Sequence, residues 1–278
     1  MTSEPTPRAT PMPAKDPAQP VEPTSPGDGA AGERSPLASY SLDDLAWTEV
    51  REVLDRAPRM IVPIGALDQH GPHLPLGTHG FIAEAVARDL SRETETLRAP
   101  LLAYGVNEPA SHQYAGTASL RRKTLHRAVN ELIGRWEDHG VRRFLILTAH
   151  RFEPHVDALL MAFSTRAETS VVDPLSIDIS DIVESPPGRE HAGELETSLL
   201  LFLAPERVRV DRIRDRPLEG MKEYRKYVRG KQPTPPPDSD GVVGRPSLGT
   251  AEKGRSIYER YVSLCRGILM EDTDDPGD

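Results

Sequence analysis

The run Phe144-Leu145-Ile146-Leu147 constrains the architecture most. Four consecutive large apolar residues read as a strand covered on both faces, not as one with a wet side. The chain before it, Lys123 to His139, has helical period, with Leu125, Val129, Leu132, Ile133 and Trp136 on one side and Gly140 just past its end. The alternation recurs along the chain. Met60 to Ile64 is strand-like, Phe81 to Arg92 helical, and Leu101-Leu102-Ala103 a short strand. Glu153 to Arg166 is helical, Ser176 to Ile179 a strand, and Glu194 to Leu203 a helix. Strands alternating with helices of ten or more residues predict the α/β class: a three-layer α/β/α arrangement around a mostly parallel sheet.

Polar residues gather where such a sheet binds ligands, in the loops leaving the strands. After Met60–Ile64 comes Asp68-Gln69-His70-Gly71-Pro72-His73-Leu74-Pro75-Leu76-Gly77-Thr78-His79. After Phe144–Leu147 comes Thr148-Ala149-His150-Arg151-Phe152-Glu153-Pro154-His155. A third segment, His191-Ala192-Gly193-Glu194-Leu195-Glu196-Thr197-Ser198, runs from a loop into a helix. Acidic residues at a helix start are favoured by its dipole alone, so Glu194 and Glu196 have a structural reason to be there. Six of the nine histidines lie in these three segments. Imidazoles with carboxylates form a donor set suited to a borderline divalent metal such as zinc.

The rest of the composition sets limits. Residues 1–38 hold nine prolines and almost no large apolar side chain, so the segment is expected to be disordered. The folded domain is expected over 39–270, followed by an acidic tail at 271–278. A net charge of −9 argues against a nucleic-acid partner, and no run approaches the roughly 18 apolar residues of a membrane helix. The start lacks a secretory pattern, and the single cysteine, Cys265, fits a reducing cytoplasm.

The arrangement of these segments resembles the creatininase family of metal-dependent amidohydrolases. That family includes creatinine amidohydrolases, a formamide deformylase branch and a peptidase-like branch of mycofactocin maturation. The resemblance runs from about Trp47 to Leu269 and is carried by four blocks in order. These are Val62 to Ala87, Gly116-Thr117-Ala118-Ser119-Leu120, His191 to Ser198, and Gly241-Val242-Val243-Gly244 with Ala251-Glu252-Lys253-Gly254. The resemblance implies a creatininase-like fold, a homo-oligomer (a hexamer in the family), and metal ligands at Asp68, His70, His79 and His150. Two ligand positions depart from the family pattern. Asp68 stands where the family has Glu. His79 stands where the family has an Asp that bridges two metals, and a neutral imidazole with one lone pair cannot bridge. Arg151, Phe152 and Glu153 replace small residues after His150.

Two readings follow. In the first, one divalent ion, zinc with iron or manganese as alternatives, is held by some of Asp68, His70, His79 and His150. Glu194 is then an added ligand or general base, and His191 stabilises the carbonyl oxygen's charge or protonates the leaving nitrogen. The reaction opens an amide, lactam or formamide C–N bond of a small molecule. Arg151, Glu153, His112 and Tyr114 are the expected substrate contacts, with Arg151 reading an anionic group. In the second, the dinuclear site is lost, and the pocket binds a ligand or serves a non-hydrolytic biosynthetic step. The sequence does not distinguish a cyclic amide from a formamide or a peptide.

Overall fold

A computed structural model describes residues 37–162, 166–173, 176–185, 190–217 and 240–271. The expected segments 1–38 and 271–278 lie outside these residues, apart from Leu37, Ala38 and Glu271. Four parallel strands form one sheet: β1 (Arg59–Ile64), β2 (Leu97–Arg98), β3 (Arg143–Thr148) and β4 (Glu168–Val172), in the order β2-β1-β3-β4. Met60 is level with both Leu97 and Phe144, and Phe144 with Thr169.

Among the described residues, six helices flank the sheet: α1 (Trp47–Arg56), α2 (Thr78–Thr94), α3 (Arg122–Asp138), α4 (Glu153–Leu160), α5 (Glu194–Leu203) and α6 (Ala251–Met270). Alternate strand residues point to opposite faces, which divides the core in two. Met60, Val62, Ile64, Phe144 and Ile146 pack with Val53 and Leu54 of α1, Leu125, Val129 and Ile133 of α3, and Leu159 of α4. Ile61, Leu145 and Leu147 pack on the other face with α2, α5 and α6, through Ile82, Leu90, Leu199, Ile257 and Tyr261. The continuous apolar runs are continuous because both faces are covered. The α/β class with a parallel sheet between helical layers is the observed one.

Local chemistry sets the element ends. In α3 the buried Leu125, Val129 and Ile133 recur every four residues, each contributing about 1.5–3 kcal/mol on burial. The helix stops where Gly140 takes φ +107°, a left-handed conformation that glycine adopts without a Cβ clash. At α6, the Thr250 hydroxyl accepts from the Lys253 N–H at 3.2 Å and caps the helix. Beyond β1, the backbones of Gly65 and Gly80 touch; a Cβ on Gly65 would lie 2.6 Å from the Gly80 Cα. That contact holds the start of α2 against the strand end.

Several expected elements differ. Helix α2 begins at Thr78, so His79 lies in its first turn, not in the preceding loop. Leu101-Leu102-Ala103 is not a strand; Leu102 only bridges Ile64, and the paired residues are Leu97 and Arg98. Helix α4 ends at Leu160 instead of running on to Arg166. The fourth strand is Glu168–Val172, not Ser176 to Ile179. No helix among the described residues is long and apolar enough to cross a membrane.

Candidate metal centre

Six chain segments meet at the carboxyl end of the sheet. The loop after β1 brings Asp68 and His70, and the first turn of α2 brings His79. The loop after β3 brings His150, and the segment before α5 brings His191. All five are buried. Glu196 comes from α5 and Glu108 from the loop ahead of a short 3-10 turn, Pro109–Gln113. His70 Nε2 lies 3.0 Å from His79 Nε2, which lies 3.0 Å from Glu196 Oε1; His70 Nε2 and Glu196 Oε1 are 3.9 Å apart. His191 also belongs beside this set, within 4.8 Å of His70 and Glu196 by their donor atoms. Asp68, Glu108 and His150 form a second set within the same limit. The His79 ring links the two, 4.2 Å from that of His70 and 4.6 Å from that of His150, centroid to centroid.

Backbone carbonyls fix which nitrogen carries the proton. His70 Nδ1 donates to the Asp68 carbonyl at 3.0 Å, His191 Nε2 to the Gln69 carbonyl at 2.7 Å, and His150 Nε2 to the Val106 carbonyl at 2.9 Å. A neutral imidazole that donates from one nitrogen offers a lone pair on the other. His70 Nε2 and His150 Nδ1 are therefore acceptors facing the cluster. His155 supports the His150 loop from behind: its Nδ1 accepts from the Val106 N–H at 3.2 Å, and its Nε2 lies 3.1 Å from the Thr148 hydroxyl.

Burial holds these rings neutral. Desolvation, then the neighbouring imidazoles, pushes His70 and His79 well below the usual histidine range; His150 is also lowered, chiefly by desolvation. His191 goes the other way. Burial pulls it down, but the carboxylates of Asp68, Glu196 and Glu108 together outweigh that, and the net shift is upward. Desolvation raises both Asp68 and Glu108.

The donor set fits a divalent cation. His79 Nδ1 is buried without a hydrogen-bond partner, and the Asp68 and Glu108 carboxyls, both raised by desolvation, are held beside one another. A buried polar atom without a partner costs stability unless something compensates it, and a cation between carboxylates and imidazole lone pairs does so.

The other expected site residues lie elsewhere. Glu194 is fully buried but faces away from the histidines. Its carboxylate accepts from the N–H of Glu184 at 3.0 Å, the N–H of Ser185 at 2.8 Å and Lys253 Nζ at 2.6 Å. The expected general base is thus engaged in an ion pair, and the carboxylate facing the cluster is Glu196, two positions on. Arg151 is exposed and reaches Asp173 at 3.7 Å. Glu153 is an exposed residue at the start of α4, and His112 is exposed on the 3-10 turn; Tyr114, just after that turn, is half-buried. None of these four belongs to the two donor sets. Glu196 was visible in the His-Ala-Gly-Glu-Leu-Glu segment, but the choice between it and Glu194 was not. Glu108 carried no signal, being a lone acid before a proline.

The model of the creatininase (creatinine amidohydrolase) family matches residues 43–268. A mycofactocin precursor peptide peptidase of Mycobacterium tuberculosis (strain CDC 1551 / Oshkosh) is 33% identical over 224 residues, 75% of this chain and 83% of that protein. A creatinine amidohydrolase of Pseudomonas putida is 27% identical over 256 residues, 84% of this chain and 97% of that one. Among solved structures, a creatinine amidohydrolase superposes with a TM-score of 0.71 at 25% identity, covering 85% of this chain and all of that one. A creatininase described as its manganese form gives a TM-score of 0.69 at 25% identity, covering 83% and 97%.

Proposed function

The chain belongs to the creatininase family and is a hydrolase of C–N bonds; from that premise we propose that it opens an amide, lactam or formamide bond with water activated at a divalent ion held by His70, His79 and Glu196. The observation that carries this reading is the convergence of those three side chains, whose donor atoms lie within 3.9 Å of one another. Two imidazoles and a carboxylate are a donor set that suits zinc, with iron or manganese as alternatives. Such an ion supplies Lewis acidity, polarising the carbonyl and lowering the pKa of water.

The chain's own groups do the remaining work. His70 is locked in one tautomer by the Asp68 carbonyl, so its Nε2 lone pair stays aimed at the site. His191 is surrounded by three carboxylates and keeps its proton more readily than the other rings, which suits it to protonate the departing nitrogen. Glu196 is partly open to solvent; with Oε1 beside His79 at 3.0 Å as the atom that would hold the ion, its other oxygen would be left to take a proton from water. Glu194 positions Glu196 by anchoring the first turn of α5 to Lys253. Arg151, exposed and next to His150 in the chain, would contact an anionic part of a small-molecule substrate. The expected homo-oligomer belongs to the same proposal.

The test is metal analysis together with turnover. Purified protein should carry a stoichiometric divalent ion. Chelation should abolish release of amine from a panel of creatinine, formamides and short peptides, and added zinc or manganese should restore it. Metal-free protein with undiminished turnover would discard the proposal.

A further inference from the structure

We infer that the hydrogen bond between His73 Nε2 and the Thr197 hydroxyl is a strut that sets the spacing of His70 and Glu196, which makes His73 and Thr197 positioning residues for the ion. The inference rests on the reading above, in which His70 and Glu196 hold that ion, and adds to it the contact that keeps the two donors in register.

The two donors come from separate elements. His70 lies in the loop after β1, which carries His73 three positions on, and Glu196 lies on α5, where Thr197 is the next residue. His73 and Thr197 are both fully buried, and His73 Nε2 lies 3.0 Å from Thr197 Oγ1. His73 is not itself a donor to the site: neither of its nitrogens belongs to the candidate donor sets, and Nδ1 is buried without a partner. A buried N–H without an acceptor is the costlier orphan, so the proton sits on Nε2 and is donated to the Thr197 oxygen.

Both ends of the strut are held in turn. The His73 carbonyl accepts from the Arg209 N–H at 2.8 Å. On α5, the Cβ and Cγ2 of Thr197 pack against Gly249, where an added Cβ would lie 3.0 Å from each. A β-branched side chain pressed on one side keeps a single χ1 setting, and in that setting the hydroxyl meets His73. The next residue, Ser198, accepts from the Thr250 N–H at 3.2 Å and ties the same turn of α5 to the start of α6. The donors so framed are close: His70 Nε2 and Glu196 Oε1 are 3.9 Å apart, each 3.0 Å from His79 Nε2. Such a constellation has to be held to within about 0.5 Å, and a buried bond one residue from Glu196 is placed to do so.

The experiment uses the full chain, stripped by chelation, its fold checked by circular dichroism, and titrated with cobalt(II), whose visible absorption reports the donors around it, then with zinc in competition. Thr197→Val keeps the branched shape and removes the hydroxyl. It should weaken the binding of both ions about tenfold and alter the cobalt spectrum. Thr197→Ser, which restores a hydroxyl, should recover most of the affinity and the wild-type spectrum. His73→Phe should lose as much as Thr197→Val, and the two changes together no more than either alone. Wild-type affinity and spectrum in Thr197→Val overturn the inference while the proposed hydrolase stands. So do losses that add in the double variant, which mark two unrelated packing defects. If wild type takes up neither cobalt nor zinc, the hydrolase reading fails first and this one with it. Should Thr197→Val fail to fold, His73→Phe decides: unchanged affinity overturns the assignment.

Discussion

Glu194 and Glu196 stand two positions apart on one helix, and successive helical residues rotate by about 100°, so the two carboxylates face opposite sides of α5. One meets Lys253, the other the histidines. Their variants should therefore fail in opposite ways. Glu194→Gln takes from Lys253 its buried partner but leaves it Glu184 at 2.9 Å, which should cost about 1.5–3 kcal/mol of unfolding free energy and leave metal content unchanged. Glu196→Gln keeps an acceptor for His79 and should leave metal-free stability near wild type, but lose the ion. Urea unfolding of stripped protein and metal analysis of loaded protein separate the two, and metal loss from Glu194→Gln alone would reverse the assignment. The histidines of the site were legible because six of nine fall in three short segments after strands or before a helix. The carboxylates were not. Which of two helix-start acids faces inward depends on Lys253, fifty-seven or more positions away in sequence, and Glu108 is turned inward by an asparagine brace that no local pattern announces.

At the scale of elements, α5 is held by its crossing with α6. Gly254 of α6 lies so close to the Ser198 carbonyl of α5 that no Cβ can be accommodated there, and the next contact is Phe202 Cβ at 2.9 Å. Gly254→Ala should cost about 1–3 kcal/mol by overpacking. It should also weaken metal affinity, because α5 can relieve the clash only by moving, and α5 carries Glu196. Thermal melts with metal titrations check this; a lowered melting temperature with unaltered affinity would show that α5 does not move. Strands β1 and β3 were legible because each is buried on both faces and so apolar throughout. The edge elements were not: β2 has only two paired residues, and β4 carries the polar Thr169 and Ser170. Leu101 to Ala103 has the right composition for a strand, yet only Leu102 bridges a neighbour, Ile64. Apolar composition there marks neither full burial nor pairing: Leu101 and Leu102 are half-buried and Ala103 is exposed.

For the molecule as a whole, the cost of the site is a group of imidazoles kept neutral by burial, which makes the fold acid-sensitive. His73, its Nε2 beside the Thr197 hydroxyl, is pushed down to about 4 by desolvation, and His155 is lowered well below the usual range by the same cause. A histidine whose folded pKa lies below its unfolded value of about 6.5 stabilises the fold above that pH and loses its contribution as pH falls towards the folded value. For His73 alone the loss between about pH 6.5 and 4 is about 3 kcal/mol, and His70, His79, His150 and His155 act in the same direction. Only His191 among the site's rings opposes them. Metal binding adds to this dependence, since an ion requires the neutral rings. At a free ion concentration of a hundred times its Kd, one bound ion should stabilise by about 2.7 kcal/mol, raising the melting temperature of a chain this size by roughly 5–10 °C. That rise should be full at pH 7.5 and shrink sharply by pH 4, because burial keeps these rings neutral well below the usual histidine range and protons compete for the same nitrogens only there. Melting curves with and without zinc or manganese at the two pH values measure it. A rise that is equal at both would mean the ion sits on groups other than these histidines.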